Sequence, residues 1–198
     1  MPPFFFIQLR LHSGRFLTGW IAANFVGGFL VSTLENNGLS FAATIFLTGL
    51  TVGTLQWWVL RQAGGRLKWW PLASAVGWIA GILLWSLAWG WFAPELNGLL
   101  SPLALGEKVW GGMTWVSWMM GMAIAQALIM GRHSRFASTW LVASFLGSIA
   151  QDIVQKSLCA FACQSLSSGL IGIVHGLGWA VYAVITGLAL LRVQNRLV

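Results

Sequence analysis

Charge is what this sequence has least of. Lys, Arg, Asp and Glu together make up 8% of its 198 residues, and only four of them are acidic. A soluble domain carries about 25% charged residues, so no water-soluble surface can be assembled from this chain. Titratable side chains of other kinds are equally scarce, with three His and two Cys. The sequence has no H-E-x-x-H, no Walker A, no G-x-S-x-G and no C-x-x-C motif. That poverty argues against an enzyme. Cys159 and Cys163 stand four apart, a spacing open both to a disulfide and to two free thiols. Two soft ligands are too few for a zinc site.

What is abundant is apolar surface, at 58% of residues and a mean hydropathy of +0.78. A spanning helix needs about 20 mainly apolar residues. Six stretches qualify, at 16–34, 41–61, 69–92, 110–131, 137–155 and 169–191. The fifth is the weakest, because Gln151, Asp152, Gln155 and Lys156 make its second half polar. The chain is too short for two ordinary domains, and the expected fold is a single all-α transmembrane domain of six helices. The apolar segment 93–109 is expected to be a loop resting on the membrane surface or on a partner. Residues 1–10 lack the charge order of a signal peptide, and their Phe residues suit the membrane interface.

The net charge of +7 would suggest nucleic acid in a soluble protein. Here the basic residues fall in short loops between apolar runs and form no stripe for a nucleic acid. Nine of the eleven, at Arg10, Arg15, Arg61, Arg66, Lys68, Arg132, Arg135, Arg192 and Arg196, share one side of the predicted topology. Lys108, Lys156 and all four acids share the other. The positive-inside rule then puts both termini in the cytoplasm, and six spans independently require the two termini to share a side. Of the 14 Trp, Trp57, Trp58, Trp69, Trp70 and Trp140 lie beside the basic loops, and Trp85, Trp89, Trp91 and Trp110 lie at the other face. Two interfacial aromatic belts are the expectation.

The chain also repeats itself. Trp20-Ile-Ala-Ala23-Asn24-Phe-Val26-Gly27 matches Trp70-Pro-Leu-Ala73-Ser74-Ala-Val76-Gly77 and Trp140-Leu-Val-Ala143-Ser144-Phe-Leu146-Gly147. The pattern W-x-x-A-[NS]-x-[VL]-G thus opens spans one, three and five. The even spans end on Gly53-Thr-Leu-Gln56-Trp-Trp-Val-Leu-Arg61, Ala123-Ile-Ala-Gln126-Ala-Leu-Ile-Met-Gly-Arg132 and Ala183-Val-Ile-Thr186-Gly-Leu-Ala-Leu-Leu-Arg192. Three hairpins are implied, at about 16–61, 69–131 and 137–191.

Lipid offers no hydrophobic drive between helices, so close backbone approach and interhelical hydrogen bonds must hold them. Gly27, Gly77 and Gly147 fall roughly 18 Å from the basic loops, at 1.5 Å per residue, where helices cross. Gly49-x-x-x-Gly53, Gly77-x-x-x-Gly81 and Gly172-x-x-x-Gly176 add small faces. Asn24, Ser74 and Ser144, with Gln56, Gln126 and Thr186, make two polar sets. They serve either as interhelical hydrogen bonds or as a polar layer around a pseudo-threefold axis that binds a headgroup or water. Asp152 and His175 are predicted in the membrane's other half, on neighbouring spans, where ionisable residues default to a functional role. The alternatives are an i, i+4 pair of Asp152 with Lys156 and a carbonyl partner for His175.

In these repeats the chain resembles a loose set of multi-span bacterial and cyanobacterial membrane proteins with tandem G-x-x-Q-W-x-x-L-R hairpins. That motif is intact only at Gly53–Arg61; the second copy lacks the Trp and the third the Gln. The resemblance covers most of the chain and brings no activity with it. It implies a bacterial inner membrane or a thylakoid, and an accessory or assembly subunit of a larger, photosynthetic complex. In that setting His175 is the candidate ligand for a chlorophyll magnesium, and Asp152, Gln56, Gln126 and Asn24 complete the candidate set for pigment, carotenoid or lipid. A second reading is a small-molecule importer, because six spans, cytoplasmic termini and about 200 residues resemble the substrate-capture subunits of energy-coupling-factor transporters. Ala23-x-x-x-Gly27 would then be the docking face for a coupling partner.

Overall fold

The computed structural model describes residues 13–65, 67–100, 106–130, 134–164 and 166–194. All the elements among them are α-helices: α1 (Ser13–Asn36), α2 (Phe41–Gln62), α3 (Trp70–Leu100), α4 (Gly106–Met130), α5 (Ser134–Ala162) and α6 (Ser168–Gln194). Each contains a stretch long and apolar enough to cross a membrane, so the chain is an integral membrane protein of six spans. The expected 1–10 interface segment lies outside the described residues, as do Arg66, Arg132 and Arg196.

Two boundaries differ from expectation. The segment 93–109 is not one long loop, because α3 runs on to Leu100 and α4 begins at Gly106. Pro94 suggests a break in the sequence, yet a proline removes one hydrogen bond of the helical ladder without having to end it. The fifth span extends to Phe161, beyond the polar residues that weaken it in sequence. Helices α3 and α5, at 31 and 29 residues, are about 45 Å long against a hydrocarbon core of roughly 30 Å.

The helices close into a ring. Each packs on its chain neighbours, and α1 meets α6. Glycine sets these contacts. A Cβ on Gly27 would come within 2.9 Å of the Val52 side chain, on Gly77 within 2.5 Å of the Gly121 carbonyl, and on Gly147 within 2.9 Å of the Tyr182 ring. Val52, Met122 and Tyr182 precede the matched Gly53, Ala123 and Ala183, and all three are fully buried; the Met122 Cα also faces Gly77. The same helix crossing therefore occurs three times. The other small faces join hairpins: Gly49 and Gly53 face Ser74 and its neighbours on α3, while Gly172 and Gly176 take Phe29 and Phe25 of α1.

The tight turns out of α1 and α2 also need glycine, with Gly38 and Gly64 at φ 97° and 92°, a region other residues rarely enter. Cys159, in the last turn of α5, and Cys163, just past its end, form a disulfide.

Candidate functional site

Each copy of the W-x-x-A motif places its Trp on the inner face of an odd helix, near the end of the bundle that carries Arg15, Arg61, Lys68 and Arg192. Trp20 and Trp70 are fully buried and Trp140 nearly so. The three indoles touch one another, with centroids 6.4 Å apart for Trp20–Trp70, 6.3 Å for Trp20–Trp140 and 5.6 Å for Trp70–Trp140, all edge to face. That is the favoured geometry of aromatic pairs. Trp70 and Trp140 are thus not belt residues. Their depth in the membrane fits a belt, but their direction around the helix points inward, and depth alone cannot tell the two apart. Trp58 and Trp69 are each 57% exposed and do suit an interface. Lys68 lies over the Trp69 ring, and Arg61 over Trp57.

The polar sets lie just inside this triad. Asn24, Gln56, Ser74, Gln126, Ser144 and Thr186 are all fully buried. Gln56 donates to Asn24 Oδ1 at 2.7 Å, and its own Oε1 accepts from Trp70 Nε1 at 3.0 Å and from Gln126 Nε2 at 3.2 Å. Gln126 also donates to Ser74 Oγ at 2.8 Å. Trp20 Nε1 donates to Thr186 Oγ1 at 3.1 Å, so the Thr of the degenerate third copy still supplies an acceptor. The Trp of one hairpin thereby bonds the Gln or Thr that ends the preceding one, around the ring. The third bond of this set is not made. Trp140 Nε1 and Gln126 Oε1 are both buried without a partner among the described residues.

A second aromatic group fills the axis further from the basic end. Trp78 and Trp115 each pack on the other and on both Trp118 and Trp179 at centroid distances of 5.6–6.4 Å, and Tyr182 joins Trp179 at 5.8 Å. Tyr182 donates to Ser144 Oγ at 3.3 Å, linking this group to the polar layer.

Of the five candidate ligand residues, the fold brings together Asn24, Gln56 and Gln126. It does not bring Asp152 and His175 to one cavity. Asp152 pairs with Lys156 at 2.8 Å, and both stand against Gly111 and Gly112 of α4. His175 faces α5 instead, with Nδ1 2.7 Å and Nε2 3.4 Å from the Gln155 amide nitrogen. Its partner is therefore a side-chain amide and not the expected carbonyl. A chlorophyll magnesium fits this arrangement poorly, because Gln155 would have to leave the ring edge to free a nitrogen. The Ala23–Gly27 face is not available for docking either, since both residues are buried and Gly27 lies on Val52.

Sequence reasoning missed Gln151, which is fully buried with neither amide atom partnered among the described residues; its place one turn after Gly147, on the inner face, is the signal. It also missed the Trp triad, although Trp is the one side chain larger than alanine identical in all three motif copies.

Among the described residues no three His, Cys, Asp or Glu come together. Amides, hydroxyls and indoles in this core can hold helices or a neutral polar group. They do not titrate near neutral pH. No known protein family matches the chain, and neither a curated protein nor a solved structure matches it at a significant level.

Proposed function

We propose that this protein is a non-enzymatic accessory or assembly subunit of a larger membrane complex, with both termini in the cytoplasm. The observation that carries the reading is a ring whose axis is filled by its own side chains. Trp20, Trp70, Gln56 and Gln126 have no exposed surface, and their bonds tie one hairpin to the next. A substrate path along the axis would have to break that network, which speaks against the importer reading. The burial of Ala23 and Gly27 speaks against it again. A rigid, self-filled bundle instead offers its outer surface. At the end away from the basic residues, Trp91 is 82% and Phe161 93% exposed, on the two helices that outrun the bilayer.

The cytoplasmic placement of the termini rests on the Lys and Arg bias. A photosynthetic setting with bound pigment is a narrower form of the same proposal, and the Gln155 amide on the His175 ring speaks against it. The test is purification of the full chain from native membranes in mild detergent after cross-linking. A stoichiometric protein partner that cross-links near Trp91 or Phe161 is the expected result. A monomer carrying a retained small solute would overturn the reading in favour of import. Visible absorbance that is lost in His175→Leu, with the protein still inserted, would establish the pigment form.

A further inference from the structure

The outer face of the third hairpin carries a groove of about 460 Å³ between α5 and α6, at the basic end of the bundle. Its walls are Val142 and Leu146 of α5 and Leu188 and Ala189 of α6; Ser138, Thr139 and Arg192 form its rim. Val142 is 58% exposed and Leu146 52%.

The repeat shows which residues differ at this place. Counting from the matched Gln56 and Thr186, Leu188 stands where the first hairpin has Trp58, and Ala189 where it has Val59. In the first hairpin Val59 covers the face of α1 at Gly19, 3.5 Å from where a Cβ would stand. In the third, Ala189 lacks those methyl groups, while Thr139, which stands where the first hairpin has Gly19, forms part of the groove's rim.

The chemistry of the groove is graded along its length. Below, it is wholly aliphatic and open toward the bilayer. At the rim are one guanidinium and two hydroxyls, and among the described residues no carboxylate lines any part of it. Arg192 lies in the last turn of α6, level with the other cations of this end, and is exposed. Aliphatic walls under a cationic, hydroxyl-bearing rim complement a molecule with an acyl chain and an anionic headgroup.

We propose that this groove holds one anionic phospholipid, its phosphate against Arg192, Ser138 and Thr139 and an acyl chain along Val142, Leu146, Leu188 and Ala189. The site is independent of the subunit reading above, since it needs no protein partner. A guanidinium selects the lipid by charge and can engage two phosphate oxygens at once, and the leaflet facing basic loops is the one rich in anionic lipid.

Native mass spectrometry of the full-length protein, delipidated and then supplied with phosphatidylglycerol or phosphatidylcholine, tests it. The wild type should retain one phosphatidylglycerol about fivefold more strongly than phosphatidylcholine, the preference a single surface cation confers. Arg192→Gln should reduce that preference to near unity, whereas Arg61→Gln, away from the groove, should leave it intact. Ala189→Trp should abolish retention of both lipids by filling the groove. If that variant does not fold, Leu188→Trp, which restores the residue type of the first hairpin, serves the same purpose. Undiminished preference in Arg192→Gln, or undiminished retention in the folded Trp variant, overturns the site.

Discussion

Gln56 is the side chain on which four helices meet, since it lies on α2 and bonds Asn24 of α1, Trp70 of α3 and Gln126 of α4. Gln56→Leu keeps the volume roughly but strands an indole N–H and an amide oxygen in a dry interior. Interhelical bonds in membranes average about 0.6 kcal/mol each, so removing three should cost about 2 kcal/mol in reversible unfolding in detergent micelles. A change below the error of that measurement would mean the network holds nothing. The indole triad permits a sharper comparison. Trp70 and Trp140 stand in equivalent places with nearly equal burial, but only Trp70 makes its N–H bond. Trp70→Phe should therefore destabilise by about 1 kcal/mol more than Trp140→Phe, the difference one buried hydrogen bond makes. Equal losses would show that ring packing alone matters. At this scale the sequence was only half legible. The repeat picks out Asn24, Gln56 and Gln126 because polar residues recur at matched depths, but it does not show which way a Trp points.

At the scale of helices, the repeated glycines are the testable parts. Gly77→Ala puts a methyl 2.5 Å from the Gly121 carbonyl and 2.6 Å from Ala125 Cβ, neither of which can swing away. Overpacking of this kind costs about 1–3 kcal/mol, and the backbones of α3 and α4 must separate. Gly27→Ala and Gly147→Ala meet side chains of Val52 and Tyr182 first, at 2.9 Å, and should cost less than Gly77→Ala. Gly90, with nothing within 4 Å of a Cβ, is the control. Its change to Ala should be neutral or stabilising by up to about 1 kcal/mol, from helix propensity. Thermal unfolding of the four variants gives the order, and a Gly77→Ala protein as stable as Gly90→Ala would remove glycine packing as the basis of the α3–α4 crossing. The six spans were readable because apolar run length alone decides them. Their ends were not, because a run of helix past the bilayer, as in α3 beyond Pro94, has no hydropathy signal.

For the whole molecule, the sequence shows three hairpins and the structure shows what repetition builds: matched crossings, a triad of indoles, and hydrogen bonds that join two of the three hairpin seams. The i, i+4 pairing of Asp152 with Lys156 was legible in the sequence as one alternative and is the one found; the partner of His175 was not, because depth along a helix is legible there and azimuth toward another helix is not. Asp152 and His175 turn to different neighbours, Lys156 and Gln155. Orientation in the membrane is the property of the whole chain that its charge distribution predicts. Arg15, Arg61, Lys68 and Arg192 all stand at one end of the described helices, while Glu35 and Lys156 stand toward the other. Loops rich in Lys and Arg stay in the cytoplasm during insertion. Reporter domains fused after Gly38, Asn97 and Ser167 should accordingly read as extracytoplasmic, and those after Gly65 and Ser134 as cytoplasmic. The fusion after Asn97 is the most demanding, since it falls in the part of α3 that continues past the span ending at Phe92. A cytoplasmic signal there would mean that α3 does not cross. Every later helix would then be inverted, and Arg192 would face the opposite leaflet from Arg61.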